Sequence, residues 1–215
     1  MPSIQDHPSY SELKVRAKEG HKLLDLGCGF GQNMRKLVLD GAPPESIFGA
    51  DLSQDLIDCG YDYFRDGASA KLTFFVGDIL EEASPAYKHA EGQFDMIWTA
   101  MFFHLWNYSN QLRASIAVVK LLRPVAGSVL VGCQLGATPA VEISRNLVAQ
   151  RAEHSTMFRH DATSFTKMWE EVGRETGTKW KVDANNVQPE WMKNGDGLST
   201  SDSRPDIITF TVTRL

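Results

Sequence analysis

Hydrophobic and polar positions along this 215-residue chain follow two alternating periods. Short apolar runs bounded by turn residues predict strands at 22–26, 46–51, 71–76, 94–100 and 127–133. Segments with apolar side chains at helical spacing lie between or beyond them. Gly31 to Asp40 predicts a helix with Met34, Leu37 and Val38 on one face, ended by Gly41, Pro43 and Pro44. Ser53 caps a second helix that runs to about Arg65 and turns Leu56, Ile57, Tyr61 and Phe64 inward. A third runs from Ser109 to Leu122 and stops before Pro124; a fourth, from Asp161 to Glu175, buries Phe165, Met168, Trp169 and Val172. WKVDA (180–184) and DIITFTVTRL (206–215) read as closing strands, and the polar stretches before His160 and between these two strands read as connections. Strands alternating with helices predict an α/β fold with a mostly parallel sheet.

Composition narrows the class of work. With 42% hydrophobic and 23% charged residues, the chain has the content of one domain around one core. A net charge of -5 with scattered Lys and Arg argues against nucleic acid as a partner. No apolar stretch approaches the roughly 18 to 20 residues of a membrane span, and MPSIQDHPSY lacks the apolar core of a signal peptide. The expectation is a cytoplasmic protein, monomer or homodimer, that works on a small molecule. Cys28, Cys59 and Cys133 are too few and too widely spaced for a disulfide framework or a structural zinc site, and read as reduced thiols.

The candidate chemistry starts at HKLLDLGCGFGQN, where three glycines crowd into five positions behind the first strand. Such a turn lets the backbone approach a nucleotide-like ligand at the carboxyl edge of the sheet. Gly27, Gly29 and Gly31 do not match the G-x-G-x-x-G spacing of dinucleotide binders, and no Walker loop is present. Asp25 at the mouth of the turn repels a pyrophosphate and suits an ammonium group. Asp51, about 20 residues beyond the glycines, stands where a carboxylate takes ribose hydroxyls. Asp78, with the amide of Ile79, can bind an adenine edge.

With these residues in view, the chain resembles the class I S-adenosylmethionine-dependent methyltransferases. LLDLGCGFGQ, GADLS, VGDIL, FDMIWTA and LLRPVAGSVLV match the family's motifs in order across about residues 20–135. The resemblance implies a Rossmann-like, seven-stranded sheet with an antiparallel carboxyl-terminal strand. It implies S-adenosylmethionine as cofactor, S-adenosylhomocysteine as product, and a cofactor-binding set of Asp25, Gly27, Cys28, Gly29, Gly31, Asp51, Leu52, Asp78, Ile79 and Thr99, with Thr99 near the sulfonium. LVLDGAPPESIFGADL, FFHLW, VVKLLRP, MFRHD and MWEEVGRETGTKW are similar to fungal secondary-metabolite methyltransferases, including enzymes that esterify a carboxyl group on meroterpenoid intermediates.

Methyl transfer needs an aligned nucleophile and little else. A carboxylate needs no base; a hydroxyl would use one, and His104 and His160 are the candidates. Arg159 could steer an acidic acceptor. Of the aromatic run Trp98, Phe102, Phe103, Trp106 and Tyr108, Phe103 and Trp106 are expected at an apolar acceptor pocket and Trp98 in the core. His7, His21, His89 and His154 sit in polar contexts and read as solvated. No metal constellation is present in the sequence. A single domain is expected over 1–215, with 1–20 as a short lid segment, 21–135 as the cofactor half and 136–215 as the substrate-side loop and closing hairpin. Two rivals share these motifs: a methyltransferase-like cyclase or isomerase that keeps the cofactor intact, and a non-catalytic cofactor-binding subunit.

Overall fold

The computed structural model describes residues 3–67, 69–81, 84–144, 156–193 and 203–215. The described strands are β1 (Leu23–Leu26), β2 (Ile47–Asp51), β3 (Thr73–Val76), β4 (Met96–Ala100), β5 (Val129–Thr138), β6 (Val141–Ser144), β7 (Thr156–Arg159), β8 (Trp180–Val187) and β9 (Arg204–Arg214). Seven of them form one sheet in the order β3-β2-β1-β4-β5-β9-β8, and β6 pairs with β7 in a separate ribbon. Only β9 runs antiparallel to its two neighbours in the main sheet. The chain steps outward from β1 to β3 and returns to the far side of β1 with β4, which creates a switch point between β1 and β4.

The helices are α1 (Tyr10–Lys18), α2 (Gln32–Leu39), α3 (Gln54–Phe64), α4 (Pro85–Lys88), α5 (Tyr108–Leu121), α6 (Ala162–Thr176) and α7 (Glu190–Lys193). They cover both faces of the sheet. On one face Leu13, Met34, Leu37 and Ile57 pack on Leu23, Ile47, Met96 and Trp98. On the other, Val118, Phe165 and Trp169 pack on Leu24, Ile97, Leu130 and Phe210. Successive residues of a strand point to opposite faces, so Leu24 and Leu26 serve one layer and Leu23 the other. Helix ends follow local chemistry. Ser53 Oγ accepts from the Leu56 N–H at 3.3 Å, and Asp161 and Ser164 form a reciprocal capping box at the start of α6.

The expected sheet and order of elements are present, and the helix faces hold except on α3, where Leu56 and Phe64 are exposed and the buried face is made by Ile57 and Gly60. Three differences matter for function. The amino-terminal segment forms a helix, α1, preceded by a 3-10 turn at Ile4–Asp6. β5 runs five residues beyond the expected end, because its partner β9 also starts early and pairs through Arg204. The polar stretch before His160 contains the β6–β7 ribbon, and residues 145–155, including His154, lie outside the described residues. No helix among the described residues is long and apolar enough to cross a membrane.

Candidate functional site

Two hollows open at the carboxyl edge of the sheet. The first, a cleft of about 290 Å³, lies over the ends of β1, β2, β3 and β4. Gly27, at the exit of β1, has φ +78°, and a Cβ there would stand 2.7 Å from the Phe102 ring. The protein's own aromatic side chain therefore excludes a larger residue. Gly29, with φ +53°, would place a Cβ in open space, so only the left-handed backbone demands glycine there. The loop's amides are largely spent within the protein: those of Gly27 and Cys28 donate to the Ala50 carbonyl at 2.8 and 3.0 Å, and that of Gly31 to the Cys28 carbonyl at 2.9 Å. The Gly29 amide donates to Asp51 Oδ2 at 2.9 Å, while Asp51 Oδ1 accepts from Ser53 N–H at 3.0 Å. Asp51 thus ties the glycine loop to the start of α3, and each carboxylate oxygen keeps a lone pair at the cleft it lines.

Of the expected cofactor residues, Gly27, Asp51, Leu52, Asp78 and Ile79 line this cleft, and Trp106 joins them. Asp78 is fixed by accepting from the Leu80 N–H at 2.9 Å. Asp25 lies one layer below, 1% exposed, and its Oδ2 has no hydrogen-bond partner among the described residues. Burial pushes this carboxyl up to about 7; the Asn33 side chain opposes the shift and the Asp51 charge adds to it. A buried carboxylate without a cation is costly, and an ammonium group is the complement it lacks. The donor set therefore fits a ligand with an ammonium at Asp25 and a diol at Asp51. Cys28 is buried, with its thiol pKa raised by burial, and Gly31 is the N-cap of α2. Thr99 is buried in β4 and is not a wall residue of the cleft.

The second hollow, of about 710 Å³, lies over β4, β5 and β9. Ser3, Asp6, His7 and Pro8 roof it; Trp98, Cys133, Ile207 and Thr209 form its floor, with Val187 and Pro189 at one side. Met101 lines both hollows and is their common wall. Asp25 pairs in register with Trp98, so the carboxylate that lacks a partner stands beside the floor of this hollow. Contrary to the solvated reading, His7 is buried, because the turn at Ile4–Asp6 folds it onto Trp98 with ring centroids 5.6 Å apart. Its neighbours in sequence are polar; its neighbours in space are sheet residues. The spacing Ile4, His7, Tyr10, Leu13, Ala17, all buried, is the helical signal that marks this face.

The other expected site residues lie elsewhere. Phe103 is fully buried against Phe210, and Phe102 takes the place at the cleft wall. His104 is buried in the 3-10 turn Phe103–Leu105, between cleft residues Phe102 and Leu105. His160 is fully buried behind the sheet, ringed by Tyr108, Phe158 and Phe165, with Nδ1 2.9 Å from Ser164 Oγ. Burial holds it near 4, with the Asp161 charge opposing. Arg159 is buried on β7, and its Nε and Nη1 have no partner among the described residues. Burial lowers its pKa and the charge of Asp206 opposes this. Neither Arg159 nor His160 lines either hollow. Among the described residues no group of three or more His, Cys, Asp or Glu side chains is placed to hold a metal ion.

A family model described as a methyltransferase domain matches residues 23–125. The chain is 38% identical to the O-methyltransferase phiE of a fungal species over 86% of its own length and 61% of that protein's. It is 34% identical to the methyltransferase ausD of Penicillium brasilianum, over 89% and 67%, and 32% identical to the asnovolin E/chermesin D methyltransferase of Aspergillus novofumigatus, over 99% and 72%. The chain spans between 52% and 72% of the length of these and similar curated relatives. Among solved structures, phosphoethanolamine N-methyltransferase 2 of Haemonchus contortus superposes with a TM-score of 0.63 at 14% identity, covering 97% of this chain and 54% of that one. The [4+2]-cyclase SpnF superposes at 0.55 and 18% identity, covering 99% and 82%. At those identities the two structures speak for the fold alone.

Proposed function

This chain belongs to the class I S-adenosylmethionine-dependent methyltransferases, and from that premise we propose that it transfers a methyl group to an oxygen of a hydrophobic small molecule, a carboxylate ahead of a hydroxyl, in the making of a secondary metabolite. Asp25 would hold the ammonium of the cofactor, Asp51 and Leu52 the ribose, and Asp78 with the Ile79 amide the adenine. Gly27 to Gly31 would admit the methionine portion by leaving room for it, and Thr99, one residue before the wall residue Ala100, is the expected neighbour of the sulfonium. When bound, the cofactor supplies an electrophilic methyl group. The chain's part is to align an acceptor oxygen in front of it and keep water out. The apolar hollow behind Met101 suits that acceptor, and the asnovolin E/chermesin D relative supports a secondary metabolite as its class. A cytoplasmic monomer or homodimer goes with this reading.

One observation carries the preference for a carboxylate: neither buried titratable side chain lining the apolar hollow is available as a general base. His7 Nδ1 already accepts from the Ser9 N–H at 3.1 Å and the Cys133 thiol is pushed up to about 11 by burial and the Asp6 charge, while Asp6 itself is exposed on the amino-terminal roof. The acceptor must then arrive ionised, as a carboxylate does near neutral pH. For a hydroxyl acceptor, His104 would be the base, beside cleft residues Phe102 and Leu105. The test is mass analysis of products formed from isotopically labelled S-adenosylmethionine and a panel of hydrophobic acids and phenols. Label in a base-labile ester is expected. Label in a base-stable ether would move the assignment to a hydroxyl, and products that gain no methyl group would favour the cyclase.

A further inference from the structure

The apolar hollow contains a polar feature that the reading above does not use. His7 accepts the Ser9 amide proton on Nδ1, so in its neutral form the ring proton resides on Nε2. Nε2 is buried and has no hydrogen-bond partner among the described residues. The indole of Trp98, packed edge-on against the same ring at 5.6 Å, has a buried Nε1–H in the same condition. A buried donor left unpaired costs about 1–3 kcal/mol, and buried polar groups nearly always find partners. Two such donors on adjoining rings, both in residues that line one cavity, indicate a missing acceptor atom.

We propose that His7 is an acceptor-binding residue that donates its Nε2–H to an oxygen of the methyl acceptor, with Trp98 Nε1–H as the neighbouring donor, and that His7 does not act as a base. The inference rests on the methyltransferase reading for the identity of that ligand. Burial lowers the His7 pKa to about 4, and backbone groups of Phe210 and Gly132 offset part of the shift. The ring therefore stays neutral above pH 5, a donor on one side and already engaged on the other. Asp6 on its own segment and Cys133 on β5 are the other titratable groups that line the hollow among the described residues, and no Lys or Arg does. A carboxyl or carbonyl oxygen entering this space meets the two ring N–H groups as its fixed polar contacts.

The test uses the protein saturated with S-adenosylhomocysteine and dodecanoate as a hydrophobic carboxylate probe. In ¹⁵N spectra of the histidine side chains, His7 should show protonated Nε2 and unprotonated Nδ1 from pH 5 to 8, and its Nε2–H resonance should move when dodecanoate is added. His7→Leu should weaken dodecanoate about tenfold while leaving S-adenosylhomocysteine affinity unchanged, and His7→Gln, which keeps a donor, should stay within about threefold of wild type. Should His7→Leu fail to fold, wild type still decides. In wild type, dodecanoate should move the indole Nε1–H resonance of Trp98, on the floor of the hollow, together with the His7 Nε2–H resonance. A His7 that titrates near 6.5, dodecanoate bound equally by both variants, or no dodecanoate binding at all overturns the inference. If S-adenosylhomocysteine itself does not bind, the methyltransferase reading falls, and the inference with it.

Discussion

The two hollows that meet at Met101 are made from different parts of the chain. The walls of the cleft come from one stretch, Leu26 to Trp106, and its polar groups are carboxylates and amides at the ends of successive parallel strands. The apolar hollow draws on both ends of the chain: Ser3 to Pro8 above, Ile207 and Thr209 below, with Ser9 Oγ and Thr211 Oγ1 bonded at 3.0 Å across 202 positions of sequence. One is set by backbone geometry, the other by side chains brought together late in the sheet order. A cleft of the first kind can hold one ligand across many proteins, and a hollow of the second kind can change acceptor by changing a few side chains.

The sharpest way to break the comparison is to remove the carboxylate that supports the cleft. Asp51→Ala deletes the acceptor for the Gly29 and Ser53 amides as well as the expected ribose contact. Loss of two or three hydrogen bonds to a charged group predicts roughly a hundredfold or greater fall in S-adenosylhomocysteine affinity by calorimetry. Unchanged affinity would remove the cleft from the cofactor assignment.

Asp25→Asn is the next largest, and it acts in two directions. The carboxyl's folded value of about 7 lies above its unfolded value of 3.8, so the stability it contributes is complete below 3.8 and is lost as pH rises through 7. At pH 8 the ligand-free wild type therefore contains an uncompensated buried charge that the amide does not have. The variant should melt higher than wild type at pH 8 and close to it at pH 4, yet bind S-adenosylhomocysteine about tenfold or more weakly at pH 8. Ligand binding to wild type near pH 7 should release protons, seen as a buffer-dependent calorimetric heat. A variant that is both less stable and equally tight-binding would mean that Asp25 is structural.

Filling the second hollow tests its independence from the first. Ile207→Trp adds a ring to its floor, opposite the amino-terminal roof. The expected outcome is a several-fold rise in acceptor KM, or loss of dodecanoate binding, with S-adenosylhomocysteine affinity unchanged. If cofactor affinity fell in parallel, the two hollows would be one site.

This difference in construction also explains what could be read without a structure. Asp25, Asp51 and Asp78 announce themselves because each stands within two residues of the carboxyl end of a strand that the hydrophobic pattern already predicts, and the glycines fix the turn between the first strand and its helix. The α/β class with a mostly parallel sheet follows from the same alternation, whereas the seven strands with one antiparallel were legible only through the family resemblance. His7 is hidden because its ring partner Trp98, and Thr209 across the same hollow, are remote in sequence, and MPSIQDHPSY is polar overall. Only the three-residue spacing from Ile4 to Leu13 betrays the buried face. Phe102 and Phe103 exchange expected roles for a similar reason: the 3-10 turn that follows β4 decides which ring meets the cleft, and its sequence carries no cap or breaker to show that geometry. Arg159 and His160 look like site residues beside a helix cap, and that cap is what holds them inside, as Asp161 and Ser164 close the start of α6.

The smallest predicted effect separates the hollow from the layer behind the sheet. His7 and His160 are both held near 4, against an ordinary value of 6.5, chiefly by burial. Their charged forms are disfavoured in the folded protein, so the stability they contribute is present above 6.5 and falls as pH drops toward 4, by up to about 1.4 kcal/mol per pH unit for each ring. Asp25 contributes a slope of opposite sign over the same range, so the readout is a difference: denaturant unfolding between pH 7 and 4.5 should lose one ring's share of the acid slope, up to about 1.4 kcal/mol per pH unit, in either single variant, His7→Gln or His160→Gln. The two rings then part company: adding dodecanoate should steepen the acid limb in wild type and in His160→Gln, because protonating His7 disrupts the pocket its ligand occupies, and should leave the limb of His7→Gln unchanged. An equal response in all three proteins would mean that the probe senses the fold as a whole and that His7 has no closer relation to the hollow than His160 does.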